Sequence, residues 1–285
     1  MIRMLLSAYA AAAAISCQAT EADTALSSVS PFDERELPSS PEWGLEELED
    51  RLLPLLSQGL PSVLDVRNSY AVFLAQREGD CPDLLDDSSW TGNWEADCTT
   101  GGGYAFKGTG NLVELYDHEE GRSYDLGMQA SFEMEDPGGG RFVAGGISSY
   151  GHGDEGEDSV WEQELGGSFS YSGAEGWLAD GMEASLHVSA SVRDGRERLE
   201  ATGGLGYPGL DMHFEGLKLN AYRCSSPEGG FRLRDPSGYW FTMEWDCSDC
   251  ARVSWRGEDH GELCAGEELG GAMQGWLRRW DEVLE

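Results

Sequence analysis

Hydrophobic positions near the start of the chain recur at helical spacing. Leu45, Leu48 and Leu52 stand three or four residues apart with acidic residues between them, which is the pattern of one helix face. The spacing continues at Leu55 or Leu56, and an end at Pro54 is the alternative, because the proline ring clashes with the preceding turn. The same spacing returns over residues 62–76, directly after a proline. Two amphipathic helices that cover a core are therefore expected before residue 80.

The spacing of hydrophobic positions changes to two from about residue 103 onward. Apolar or small residues occupy every second position over 124–134 and 182–192, and polar residues or glycine stand between them. This alternation predicts strands with one face on a core and the other in water. At Gly216 the apolar phase slips by one residue, which predicts a bulge or bend.

Short Gly- and Pro-containing turns separate these segments, among them 136–140 and 235–238. Such connections are too short for the crossovers that parallel strands need. The pattern therefore predicts a mainly β fold: an antiparallel meander of roughly ten strands, forming a curved sheet, a sandwich or a partial barrel. No fixed repeat length supports a solenoid.

The last residues return to helical spacing. One stripe of a helix carries Met273, Trp276, Leu277, Trp280 and Leu284. We expect a short C-terminal helix that docks on the sheet; a helix exposed for a partner is the alternative.

Acidic residues dominate the charge of the chain. The 53 Asp and Glu against 19 Lys and Arg give a formal net charge of −34. Binding to a phosphate backbone depends on Lys and Arg that displace counterions, so nucleic acid is excluded as a partner.

The N-terminus has the layout of an export signal. Arg3 precedes the apolar stretch 4–15, which is shorter than the roughly 20 residues of a stable membrane span. The following Ala14-Ile15-Ser16-Cys17 resembles the lipobox of bacterial lipoproteins, although Ala14 stands where leucine is usual. The resemblance implies removal of 1–16, acylation of Cys17 and anchoring in a lipid bilayer. The alternative is an ordinary signal peptide that is cut nearby, for example after Ala19.

The same resemblance implies a location. Gln18 is not the aspartate that marks inner-membrane retention in many lipoproteins of this class, so the cell envelope, and the outer membrane in particular, is expected. Secretion is the alternative. Residues 17–42 then form the lipidated cysteine and a polar flexible tether, 43–80 a helical segment that packs on the β domain, and 81–285 a disulfide-linked β domain with the C-terminal helix.

The chain has seven cysteines, an odd number, and this count bears on the role of Cys17 because exported proteins avoid an unpaired thiol. Setting Cys17 aside leaves six. The predicted disulfides are Cys81–Cys98, Cys224–Cys247 and Cys250–Cys264, the last across a hairpin. The local pair Cys247–Cys250 is an alternative, as are a zinc site and a redox function of the CxxC.

Three further groups are candidates for chemistry. The acidic loop residues Asp154, Glu155, Glu157 and Asp158 are calcium candidates, although they lack the order of an EF-hand loop. His187 near Glu183 and His213 near Glu215 fall on polar strand faces, so a His and carboxylate cluster on one outer surface is a hypothesis, with ordinary packing of polar residues on a sheet as the favoured alternative. The aromatic candidates for stacking on a ligand are Trp240, Trp245 and Trp255; aromatics occupy both faces of 239–245, which allows at least one to be exposed, whereas most of the tryptophans are expected in the core.

These observations support three hypotheses of function. The first is an exported, lipid-anchored envelope or surface protein that acts as a non-catalytic structural or interaction module. The second is a carbohydrate-binding module that uses exposed aromatics, and the third is a hydrolase, for which no motif is assembled. No cofactor is expected, and a protein or glycan partner is left open.

Overall fold

The architecture of the chain is given by a computed structural model that describes residues 40–85, 92–117, 122–155, 158–172, 181–194 and 196–284. The helices are α1 (Leu45–Gln58), α2 (Val63–Leu74) and α3 (Gly266–Leu284). The strands are β1 (Trp94–Thr99), β2 (Ala105–Asp117), β3 (Arg122–Glu135), β4 (Arg141–Glu155), β5 (Asp158–Ser172), β6 (Met182–Arg193), β7 (Arg196–Tyr207), β8 (Leu210–Asn220), β9 (Glu228–Arg234), β10 (Trp240–Asp246), β11 (Cys250–Trp255) and β12 (Glu258–Cys264).

All twelve strands belong to one open sheet, and each pairs antiparallel with its neighbours in sequence. The predicted meander is confirmed, with two strands more than the roughly ten expected. Segments such as β2 show the alternation less clearly, because Gly108 and Gly110 interrupt it. Pairing with neighbouring strands, rather than pattern, makes these segments extended.

One face of the sheet carries the core, as the alternation predicts. The apolar positions of β3 and β6 are buried, including Phe132 and Met134 in β3 and Leu186 in β6. Helix α2 lies against β3, β4 and β5, α3 against β3 and β4, and α1 against α3 and β12. The helices thus cover the apolar face, and the opposite face carries the polar positions.

Bulges shift the register where the sequence pattern slips. The β8–β9 pairing is irregular between Glu215 and Lys218, and Gly216 there has φ +62°. A second irregularity lies between Ala201 and Gly203 in β7. The bulge predicted at Gly216 is therefore confirmed.

Helix α1 continues through Pro54 to Gln58, so the alternative that Pro54 ends it is wrong. Pro54 is exposed, whereas Leu52 and Leu56 on either side of it are buried. The backbone carbonyl that loses its partner at a proline therefore lies on the solvent side, where water can satisfy it. Burial of the leucines holds the last turn together.

Helices α2 and α3 are joined by buried polar contacts. Ser62 caps α2, its backbone N–H donating to the Asp65 carboxylate at 2.7 Å. From α3, Arg279 Nε lies 3.2 Å from Asp65 Oδ1, and its Nη1 donates to the Leu60 carbonyl at 2.9 Å. Trp276 Nε1 donates to the carbonyl of Pro61 at 2.9 Å. The α1–α2 connection is thus fastened to the C-terminal helix.

The three predicted disulfides are present: Cys81–Cys98, Cys224–Cys247 and Cys250–Cys264. The last joins residues directly opposite each other in β11 and β12. Because disulfides persist in oxidising surroundings, they indicate an extracellular or periplasmic environment. Within the described residues, no helix has the length and apolar character needed to cross a membrane.

Candidate ligand-binding surface

The three candidate tryptophans do not all lie on the same face of the sheet. Trp240 is 37% exposed, whereas Trp245 is 3% and Trp255 5% exposed. Trp240 and Trp245 are five residues apart in β10, so the alternation of a strand places them on opposite faces. Trp255 packs on the buried Tyr239 ring at 4.7 Å between centroids. Trp245 and Trp255 are therefore core residues, and the prediction of ligand-stacking roles for them is wrong.

Trp240 lies on the outer face of the sheet between charged side chains. Arg234 stands opposite it in β9, and the guanidinium carbon lies over the ring at 5.9 Å from its centroid. The His213 ring of β8 meets it edge-on at 6.4 Å and 81°. Trp240 is thus held from two sides while part of its ring contacts solvent.

Ion pairs continue this surface across β8 and β9. Arg234 Nη1 lies 3.3 Å from Asp211 Oδ2, and its Nε donates to the Gly238 carbonyl at 3.4 Å. Arg232 Nη2 lies 2.8 Å from Glu215 Oε1. These side chains define what we call the Trp240 patch: Asp211, His213, Glu215, Arg232, Arg234 and Trp240.

Glycines in β7 shape the border of the Trp240 patch. Gly206 is paired with Asp211, and Gly204 with His213. A Cβ at Gly206 would stand 3.2 Å from Asp211 Oδ1, and one at Gly204 would stand 3.7 Å from His213 Cδ2. A side chain at either glycine would therefore crowd Asp211 or His213 at this border of the patch.

The Trp240 patch differs electrostatically from the chain that carries it. Its two arginines balance its two carboxylates, and with neutral histidine its formal charge is +2 − 2 = 0, against −34 for the chain. The patch therefore presents donors, acceptors and an aromatic ring without a net charge. Such a surface can make hydrogen bonds and stacking contacts with an uncharged ligand.

The structure does not bring His187 and His213 together. Strand β7 lies between them, with His187 paired to Thr202 and His213 to Gly204. The carboxylate beside His187 is Glu162 of the adjacent strand, at 3.4 Å, and not Glu183. Cross-strand neighbours stand about 5 Å apart, whereas residues four apart in one strand are separated by roughly 13 Å. The two histidines therefore do not form one cluster, and the favoured alternative of ordinary polar sheet packing agrees with their positions.

A second polar cluster lies on the outer face of β3, β4 and β5. His152 Nδ1 is 2.7 Å from Asp125 Oδ1. Burial, together with the charge of Glu162 and its hydrogen bond to Tyr150, raises the pKa of Tyr150 to about 12. Tyr150 is thus a neutral hydrogen-bonding group near neutral pH, and the cluster forms exposed cross-strand pairs.

The metal candidates are only partly covered by the structure. Asp154 is exposed near the end of β4, whereas Glu157 and the side chains of Glu155 and Asp158 lie outside the described residues. Among the side chains that the structure describes, no three His, Cys, Asp or Glu are arranged to hold a metal ion. The six cysteines of the β domain are bonded in disulfides, which overturns the alternatives of a zinc site and the local pair Cys247–Cys250. Cys17 also lies outside the described residues.

Comparisons with known proteins give no relative from which a site can be transferred. No protein-family model, no curated protein and no solved structure matches this chain. The assignment of a function therefore depends on the fold and on the Trp240 patch.

Proposed function

We propose that this chain is an exported, lipid-anchored protein of the cell envelope that acts as a non-catalytic binding module. The observation that carries the binding role is the Trp240 patch. A large aromatic side chain reaches solvent on the outer face of a sheet whose other face is filled by the core. Aromatic and Arg side chains are the residues that most often dominate recognition surfaces.

Export and anchoring have separate support. The three disulfides indicate an oxidising compartment, and the apolar stretch before Cys17 provides a route to it. Acylation of Cys17 would place a lipid before the polar residues 18–42, which would act as a flexible tether. One acyl chain gives only marginal binding to a bilayer, so stable anchoring at Cys17 needs a second chain or a second contact with the membrane.

Metabolic labelling with a fatty acid tests the anchor. Wild-type protein should incorporate the label and sediment with membranes, and detergent should release it. Cys17→Ser should lose the label and leave the membrane fraction, while Cys81–Cys98 and the other disulfides still form on a non-reducing gel. Wild-type protein without label would overturn the lipid anchor and leave a secreted protein.

Carbohydrate binding is the second candidate function, and the isolated exposure of Trp240 favours it. The other exposed large apolar residues on the described part of the chain lie away from β9 and β10, for example Leu115 in β2 and Val160 in β5. An aromatic ring among charged side chains matches a sugar, which has apolar C–H faces and a polar rim.

A further inference from the structure

We infer that the Trp240 patch binds a neutral pyranose glycan, with the Trp240 ring as the stacking surface and the ion pairs around it as hydrogen-bonding partners of the sugar hydroxyls. This inference rests on the proposed binding function and names its ligand class. Three properties of the patch carry it: the size of the exposed aromatic surface, the mixture of donors and acceptors, and the charge balance.

The apolar area of the patch fits one sugar ring better than a protein interface. A tryptophan buries at most about 250 Å² in a full contact, so the 37% that Trp240 exposes amounts to roughly 90 Å². A standard protein interface covers about 800 Å² on each partner, of which more than half is apolar. Trp240 is surrounded by Arg234, Asp211 and His213, so little further apolar surface is available to a protein partner.

The polar groups around Trp240 match the hydroxyls of a sugar. A hydroxyl group both donates and accepts hydrogen bonds, whereas a guanidinium only donates and a carboxylate only accepts. The patch alternates these types, since Arg234 adjoins Asp211 and Arg232 adjoins Glu215. Each ion pair also fixes the orientation of its side chains before binding, which reduces the entropy that a ligand contact would cost.

The charge of the protein selects neutral over acidic glycans. A chain of net charge −34 repels a polyanion at long range. The two arginines of the patch do not offset this repulsion, because each is paired with a carboxylate. A neutral sugar experiences no such repulsion, and its binding should depend only weakly on salt.

Isothermal titration calorimetry on the full-length protein tests the inference directly. The protein is kept in a detergent without a sugar headgroup, and the neutral probes are cellohexaose, hexa-N-acetylchitohexaose and mannohexaose. Hexagalacturonate serves as the acidic probe. At least one neutral probe should bind, hexagalacturonate should not, and raising the salt from about 0.15 M to about 1 M should change the affinity less than about twofold.

Two substitutions locate the site. Trp240→Ala should weaken binding about tenfold or more, and Trp240→Tyr should restore most of it because an aromatic face remains. Tyr222→Ala is the matched control, since Tyr222 is 49% exposed and also has an arginine over its ring, Arg196 at 5.3 Å, but lies outside the patch. Tyr222→Ala should bind as wild type does. Equal melting temperatures and intact disulfides show that each variant is folded.

Several outcomes would overturn the inference. These are no binding of any of the three neutral probes, binding of hexagalacturonate alone, or equal affinities for wild type and Trp240→Ala. In each case the fatty-acid labelling of Cys17 is unaffected, so failure of the glycan assignment is distinguishable from failure of the proposed envelope location. Loss of the label with glycan binding retained would give the reverse result: a secreted glycan-binding protein.

Discussion

Replacing Arg279 with leucine removes the positive charge that faces the buried carboxylate of Asp65. The two side chains are 20% and 5% exposed, and Nε of Arg279 lies 3.2 Å from the carboxylate. The substitution also takes away the donor to the Leu60 carbonyl. It leaves an ionised carboxylate between helices α2 and α3 without its counter-charge.

The expected loss follows from this geometry. Removing one partner of a buried ion pair costs about 3–5 kcal/mol. The Ser62 backbone N–H and hydroxyl still contact Asp65, at 2.7 and 3.1 Å, which favours the lower end of that range. The orphaned carbonyl adds about 1 kcal/mol. We expect Arg279→Leu to lower the free energy of unfolding by about 3–4 kcal/mol, a large part of the roughly 5–15 kcal/mol of a typical domain.

Burial of the Asp65 carboxyl group determines whether the stability of the fold rises or falls with pH. Burial raises the pKa of Asp65 above its ordinary value of 3.8, and the Arg279 charge and the Ser62 hydrogen bonds offset part of that rise. The folded state therefore takes up a proton at a pH at which the unfolded state has already lost it. The contribution of Asp65 to stability grows as the pH falls through the folded pKa, and it levels off below 3.8. Without Arg279 the pKa rises further, so the variant's deficit shrinks on acidification.

Urea unfolding followed by tryptophan fluorescence, with the disulfides intact, measures the loss at about pH 7.5 and at about pH 4, close to the ordinary carboxyl pKa of 3.8. Asp65→Asn combined with Arg279→Leu should recover at least half of it, because the uncompensated charge is gone. The control is Arg51→Leu, whose exposed partner is Glu47 at 2.8 Å and which should cost about 0.5 kcal/mol or less. A cost for Arg279→Leu no larger than that of the control, or one equal at both pH values, would refute the reasoning.

Three further changes probe the sheet, a disulfide and the core, each by urea unfolding against wild type. Gly203→Ala should cost about 2 kcal/mol or more, because φ is +105° and a Cβ would stand 2.0 Å from a carbonyl oxygen; Gly127→Ala, with open space around it, should cost little. Cys250→Ala with Cys264→Ala should cost about 3 kcal/mol, because the unfolded chain loses a cross-link spanning 14 residues. Tyr70→Phe should cost about 1–2 kcal/mol, because its hydroxyl joins a buried indole N–H and a backbone carbonyl at 2.7 and 2.6 Å.

Each of these three expectations has a result that contradicts it. Equal losses for the two glycine variants would mean that the backbone at Gly203 is less constrained than its geometry indicates. A Cys250/Cys264 double variant as stable as wild type would mean that the unfolded chain is already compact in this hairpin. A Tyr70→Phe variant with wild-type stability would mean that water replaces the hydroxyl.

Period-two alternation made most of the sheet predictable from sequence. Burial on one face of an antiparallel strand imposes that pattern, and β6 shows it without interruption from Met182 to Ala190. The slip at Gly216 was visible for the same reason. In strands such as β2 the alternation is less clear, because glycines carry no side chain that marks either face. Pro54 does not end α1, because a helix tolerates an interior proline where the carbonyl group of the preceding turn, which loses its hydrogen-bond partner, faces solvent.

Partner choice across strands was the harder problem. The His187 partner is Glu162 in β5, and identifying it requires the β5–β6 register, which no residue in β6 reveals. The disulfide Cys250–Cys264 could be predicted because a short hairpin brings its two ends together, although a bulge between Val253 and Ser254 shifts the register by one residue from a plain count outward from the turn. The register of two paired strands can be inferred from the nearby sequence only where the loop that joins them is short and of known length.

The position of Trp240 in the apolar pattern contains a signal for the site. Tyr239, Phe241 and Met243 mark the buried phase of β10, so Trp240 occupies a polar phase position where Thr242 and Glu244 follow it. A tryptophan in that phase gains nothing from the core of its own sheet. Arg-x-Arg in β9 and Asp-x-His in β8 lie in the matching outward phase, and a meander of tight turns places these strands side by side. The phase of each aromatic residue, rather than the number of aromatics, therefore distinguishes Trp240 from Trp245 in the amino-acid sequence alone, and it locates the patch that the calorimetry tests.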